Sequence, residues 1–179
     1  MRTRLIAALL AATTVLTSGC ASDEEKPLTD AQGGWVDAFC GAFVPGLKAG
    51  KALQAQNAAD PAAVKAAYLK LVNDNATAFK SAETKLKELG PPSDDLKSTH
   101  ERLLAYVGES ARSYEAAKAP VTALAPDAAF WDAAEKVLAD TSQVSNPEQL
   151  RATFDALEKS PKYAGAIGKA SACDELKAG

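Results

Sequence analysis

The chain has 179 residues, of which 47% are hydrophobic and 24% are charged, and its formal net charge at pH 7 is −3. This length suits one domain with its own hydrophobic core. The acidic balance, without a basic patch interleaved with aromatic side chains, argues against a nucleic-acid-binding protein.

The first 19 residues have the organisation of an export signal. Arg2 and Arg4 give a positively charged start, and the run "LIAALLAATTVL" (residues 5–16) is apolar apart from two threonines. That run has 12 residues, whereas a helix that crosses the hydrocarbon core needs about 20. We therefore predict a signal peptide over residues 1–19 rather than a permanent membrane span.

The segment "LTSGC", residues 16–20, resembles the lipobox of bacterial lipoproteins, in which small or apolar residues precede an obligatory cysteine. Gly19 before Cys20 fits the pattern, while Thr17 departs from its commonest form, which has Leu. The resemblance implies cleavage after Gly19, a diacylglycerol on the Cys20 sulfur, and a further acyl chain such as palmitate on its amine. Two or three acyl chains anchor a protein more stably than one. The alternative is an ordinary secretory signal that leaves Cys20 as a free thiol.

The style of the chain also resembles the small lipoproteins of high-GC Gram-positive bacteria. That resemblance implies an anchor in the outer leaflet of the cell membrane. Residues 20–30, from the lipidated Cys20 through a short charged segment with a proline, are predicted to form a flexible tether. Fully extended, this tether reaches roughly 30 Å at ~3.3 Å per residue. The folded domain is predicted to cover residues 31–179.

Two cysteines remain once Cys20 is assigned to the lipid. An exported protein meets an oxidising environment, so we expect Cys40 and Cys173 to form a disulfide that encloses most of the mature chain. The alternative is two buried free thiols that act as small apolar residues. The chain has no CxxC motif, and two cysteines alone make a poor zinc site.

The first predicted helix carries one broad apolar stripe. Its large apolar side chains recur every four residues at Trp35, Phe39, Phe43 and Leu47. Thr29 and Gln32 have the spacing of a capping box at its start. Pro45 and the following glycine are expected to kink or break this helix, which would then resume towards Leu53.

The second and third predicted helices are also long. Asp60, followed by a proline, signals the start of the second helix, and Gly90, followed by two prolines, signals its end. Asn75 lies in its apolar stripe, where we expect it to specify helix register. Ser93 is expected to cap the third helix, which should end before Pro120.

Three shorter helices are predicted to follow. Asp127 is the expected cap of the fourth, and Asn146 and Ser160, each followed by a proline, signal the starts of the fifth and sixth. No segment shows the two-residue alternation of a β-strand. The predicted fold is therefore all-α: a bundle of three long and several shorter helices, closed by the Cys40–Cys173 disulfide.

Candidates for a chemical site are few. His100 is the only histidine, and its helical neighbours one turn away include no carboxylate, so we expect a core or face-edge histidine rather than a base or ligand. Asp132 and Glu135 could serve as calcium ligands, but we expect them to lie on a solvated helix face. Motifs for nucleophilic, nucleotide or haem chemistry are absent from the sequence. We therefore predict neither an enzyme nor a cofactor or metal site.

Phe130 and Trp131 form the candidate binding surface. Because they are adjacent on a helix, they point in different directions, so one can serve the core while the other is partly exposed. The alternative is that a neighbouring helix covers both. The sequence thus favours a lipid-anchored module that docks an extracytoplasmic protein, and the alternative function is a carrier or receptor for a small apolar ligand.

Overall fold

The computed structural model describes residues 28–56, 60–141 and 147–174. The predicted signal peptide, Cys20 and the tether up to residue 27 lie outside the described residues. All regular elements within the described ranges are helical, which confirms the predicted all-α fold. The six α-helices are α1 Asp30–Gln54, α2 Pro61–Leu89, α3 Lys97–Ala123, α4 Phe130–Thr141, α5 Pro147–Glu158 and α6 Pro161–Lys169.

Several helix boundaries follow from the caps that the sequence predicts. Thr29 and Gln32 form the capping box of α1, each side chain accepting from the other's backbone N–H. The Asp60 carboxylate accepts from the backbone N–H of Ala63 at 3.0 Å at the start of α2. Gly90 ends α2 with a φ of 69°, a conformation in which a side chain would be strained. Because Thr29 caps α1, the helix begins at Asp30, one residue before the predicted start of the folded domain at residue 31.

Three expectations about helix ends were wrong. Helix α1 does not break at Pro45, where a kink stays a prediction, and α3 includes Pro120. A proline removes one backbone donor, and packing of α1 and α3 against α2 compensates for that loss. Ser93 does not cap α3 with its side chain. Its buried hydroxyl has no hydrogen-bond partner among the described residues, and a 3₁₀ turn at Asp94–Leu96 precedes the helix.

The three long helices form the centre of the bundle, with α2 packed against both α1 and α3. Helix α4 packs on α3 and α2, α5 on α3, and α6 on α1 and α5. The disulfide joins Cys40 in α1 to Cys173, with Cα atoms 5.0 Å apart across 133 residues of sequence. Cys173 lies in the 3₁₀ turn Ser171–Cys173 just after α6. The bridge therefore fastens α1 to the segment that follows the last helix.

The core has two parts along the bundle. One surrounds Trp35 and Phe39 near the disulfide, and the other surrounds Tyr68 and Phe130, where α4 covers the start of α2. Trp35 and Phe39 are fully buried and stack with ring centroids 5.8 Å apart. The second part of the core positions the candidate surface at Phe130 and Trp131.

Candidate functional site

The two residues of the candidate binding surface differ in burial. Phe130 is buried, and its ring packs edge-on against Tyr68 with centroids 5.8 Å apart. The Trp131 side chain is 40% exposed, and its ring also meets Tyr68 edge-on, at 5.9 Å and 83°. Tyr68 thus anchors both rings. Trp131 keeps one open side while its orientation is held by a buried neighbour.

A groove of about 300 Å³ lies beside Trp131. It is bounded by the end of α1, the start of α2 and the turn before α4. Its apolar residues include Leu53, Val64 and Phe130, and its polar lining includes Gln54 and Asp127. We call this feature, with Trp131, the Trp131 groove.

Local hydrogen bonds hold the turn before α4. The Asp127 carboxylate accepts from the backbone N–H of Ala129 at 2.9 Å, and the Asp127 carbonyl accepts from that of Phe130 at 3.1 Å. Asp127 therefore caps the turn and not α4, which begins at Phe130, so the predicted helix cap was wrong. Lys65 of α2 donates to the carbonyls of Thr122 and Leu124, at 2.8 and 2.5 Å. These bonds fix the end of α3 beside α2, so the groove is built from positioned elements.

The polar groups at the groove are available for a ligand. The indole N–H of Trp131 and the side-chain amide of Gln54 donate no hydrogen bond within the part of the chain that the structure describes. Burial, the Glu135 carboxylate and Tyr114 together raise the pKa of Tyr68 to about 12, and burial is the largest of these causes. Tyr68 therefore stays protonated, and its uncharged ring packs against Trp131.

His100 is a hydrogen-bonded core histidine, as the sequence suggested. It is buried, and its Nδ1 accepts from the indole N–H of Trp35 at 3.0 Å. Burial lowers the pKa of His100, and the charge of Glu101 opposes that shift. A neutral imidazole that accepts a hydrogen bond from a buried indole serves the core.

Sequence reasoning missed the contacts that join the helix ends near this histidine. Gln32, predicted only as part of a capping box, also donates to the carbonyl of Pro92 at 3.0 Å. The hydroxyl of Tyr163 in α6 donates to the same carbonyl at 2.9 Å. The Tyr163 ring packs against Trp35 at 6.3 Å. Spacing along one helix carries no signal for such long-range partners.

Asp132 and Glu135, the alternative calcium ligands, are both exposed on α4. Across residues 28–56, 60–141 and 147–174, no three His, Cys, Asp or Glu side chains lie close enough together to hold a metal ion. Among the described helices, none combines the length and hydropathy that a membrane crossing requires.

Two further grooves run between the long helices, and charged side chains line both. One of about 380 Å³ between α1 and α2 is lined by Asp37, Asp74, Lys85 and small side chains. The other, of about 610 Å³, lies between α2 and α3 and includes Glu115. Asp74 of the first groove pairs with Lys70 at 2.7 Å, and Glu115 of the second pairs with Lys118 at 2.6 Å. Neither groove contains an aromatic side chain, so Trp131 distinguishes the groove at the end of α1.

Comparisons with known protein families, with curated proteins and with solved structures find no significant match to this chain.

Proposed function

We propose that this chain is a non-enzymatic, membrane-anchored extracytoplasmic lipoprotein whose helical domain docks another extracytoplasmic protein through the Trp131 groove. The observation that carries this proposal is the exposure of Trp131 beside an apolar cavity. Tryptophan is the residue type most enriched at binding hot spots, where it fills or borders a desolvated pocket.

The other exposed large hydrophobic side chains lack this setting. Leu47 is 40% exposed and Leu89 is 36% exposed, but neither lines any of the three grooves. Single exposed apolar side chains are normal on protein surfaces. Trp131 differs because a cavity lies beside it and because Tyr68 fixes its ring, which reduces the entropy lost on binding.

The position of the groove also suits a docking role for an anchored protein. The proposed tether enters the domain at the start of α1, and the groove lies at the end of α1, where Leu53 and Gln54 line it. A helix of 25 residues is roughly 37 Å long at ~1.5 Å per residue. The groove thus lies at the opposite end of α1 from the proposed tether.

The second candidate function, a carrier for a small apolar ligand, draws support from the apolar lining of the same groove. Ligand pockets range over roughly 300–1,000 Å³ and bury most of the ligand. A volume of about 300 Å³ lies at the lower end of that range. Mass spectra of the purified full chain under native and denaturing conditions separate the two functions. A small mass lost on denaturation would favour the carrier.

The docking role is tested with the full-length chain in its own membranes. After brief chemical cross-linking, proteins that co-purify with the parent chain are compared with those that co-purify with Trp131→Ala. Leu47→Ala is the matched control, because it removes an equally exposed side chain away from the groove. We expect a partner that is lost from Trp131→Ala and retained by Leu47→Ala. Equal recovery with both variants would contradict docking at this groove.

A further inference from the structure

We infer that the segment docked in the Trp131 groove is a basic stretch of protein chain that inserts an apolar side chain. This inference rests on the proposed docking function and specifies the chemistry of the partner. It follows from the charges around the groove and from the unpaired hydrogen-bonding groups on its rim.

The charges at the groove are acidic. Among the described residues that line the groove, Asp127 carries the one charged side chain, and none is Lys or Arg. Asp60 lies next to the groove at the start of α2, and Asp132 and Glu135 are exposed on α4 beside Trp131. A cationic partner segment would gain favourable interactions with these carboxylates and would be steered towards them.

The nearby cations do not line the groove. Lys65 directs its ammonium group to two backbone carbonyls at the end of α3. Lys51 on α1 and Lys136 on α4 lie outside the lining, as do Asp60, Asp132 and Glu135, so the charge that borders the groove itself is that of Asp127. An anionic membrane surface would meet the same carboxylates as like charges, which disfavours a lipid headgroup as the occupant.

The hydrogen-bonding groups favour a polypeptide. The free indole N–H of Trp131 matches a backbone carbonyl, and the Gln54 amide both donates and accepts, as a peptide group does. The apolar lining from Leu53, Val64 and Phe130 provides a place for one inserted side chain. An apolar anchor flanked by Lys or Arg therefore satisfies each part of the groove.

The test selects peptides from a random, tryptophan-free display library on the full-length chain held in detergent micelles, with counter-selection on Trp131→Ala. We expect selected peptides to carry Lys or Arg around an apolar residue. Their affinity should fall roughly thirtyfold with Trp131→Ala, as for a binding hot spot. It should fall roughly two- to fivefold with Asp127→Asn, which removes an exposed charge but keeps the turn's acceptor oxygen.

Asp95→Asn is the matched control, because Asp95 is an exposed carboxylate in the connector between α2 and α3, and it should leave the affinity unchanged. Trp131-dependent peptides without a basic bias would overturn the inference about charge and leave docking intact. A failure to select any Trp131-dependent peptide would overturn the inference and count against docking itself. Unlipidated Cys20→Ser protein is also tested for binding to phosphatidylglycerol vesicles. If this binding depends on Trp131, the occupant of the groove is a membrane surface and not a peptide.

Discussion

Trp35 donates its indole N–H to Nδ1 of His100 across 3.0 Å, which joins α1 to α3 inside the core. The donor requires a lone pair on Nδ1, so the imidazole is neutral and carries its proton on Nε2. In a protonated His100 ring, Nδ1 would also carry a hydrogen, and that N–H would point at the indole N–H of Trp35. The core is therefore built around the uncharged form of the only histidine in the chain.

This pairing predicts that acid destabilises the domain. Burial lowers the pKa of native His100 below the usual 6.5, so the unfolded chain binds more protons as pH falls through that value. The stability that neutral His100 contributes is complete above pH 6.5 and declines as the pH falls below it. Urea unfolding between pH 7 and pH 5 should show a falling free energy of unfolding.

His100→Asn is the informative control for the pH effect. Asparagine places an oxygen acceptor near the position of Nδ1 and does not titrate in this range. We expect a lower stability at pH 7 but a flatter pH dependence from 7 to 5. An unchanged slope in this variant would assign the pH effect to other groups.

A close contact between α1 and α2 predicts a destabilising glycine substitution. A Cβ atom on Gly46 would overlap Oδ1 of Asn75, whose amide donates to the Leu71 carbonyl at 2.9 Å. Gly46→Ala should therefore cost about 1–3 kcal/mol of unfolding free energy through overpacking. Chemical denaturation measures this cost.

Gly41 in the same helix provides the matched control. A Cβ atom there would meet nothing within 4 Å, so Gly41→Ala should stabilise the domain by about 0.5–1 kcal/mol through helix propensity. Adding Asn75→Ala to Gly46→Ala should recover part of the loss. If both glycine substitutions had the same effect, the close helix contact would not explain the presence of Gly46.

The ends of the helices show why much of the fold follows from the sequence. The caps at Thr29, Asp60 and Gly90 are local, because each depends on side chains within three or four residues, and all three predictions were confirmed. The continuity of α1 through Pro45 depends on packing against α2, which no local pattern reports. The helix-breaking effect of proline was therefore overestimated at this position.

The disulfide predicts a large loss of stability when it is removed. Cys40 and Cys173 are both fully buried, and they lie 133 residues apart in the sequence. In the chain-entropy model, such a loop contributes on the order of 4–5 kcal/mol. The double variant Cys40→Ala/Cys173→Ala should unfold at a correspondingly lower urea concentration.

A thiol assay checks the bridge itself. In denaturant without reductant, maleimide should leave Cys40 and Cys173 unmodified in the parent chain and should label both after reduction. Labelling of both before reduction would show free thiols and contradict the bridge.

The resemblance of residues 16–20 to a lipobox predicts a membrane-bound product. Cys20→Ser removes the sulfur that would carry the diacylglycerol, so the variant should lose both the lipid mass and its membrane association. Fractionation of cells and intact-mass analysis measure these two changes. Detection of the parent chain without added lipid mass would favour the ordinary secretory signal.

The candidate site was predictable only in part. Adjacency of Phe130 and Trp131 on one helix indicated that they face different directions, but not which of them is buried. That choice depends on Tyr68, which lies more than 60 residues earlier in the sequence and contacts both rings. The groove also needs the ends of α1 and α2, which only tertiary packing brings together.

Site-specific photo-cross-linking in intact cells tests docking at the Trp131 groove most directly. A benzophenone amino acid replaces Ala128, an exposed residue of the groove lining that leaves Trp131 in place, and the same amino acid at exposed Leu47 serves as the control. We predict one discrete protein adduct from position 128 that is absent from position 47. Either no protein adduct at position 128 or the same adducts at both positions would contradict the account.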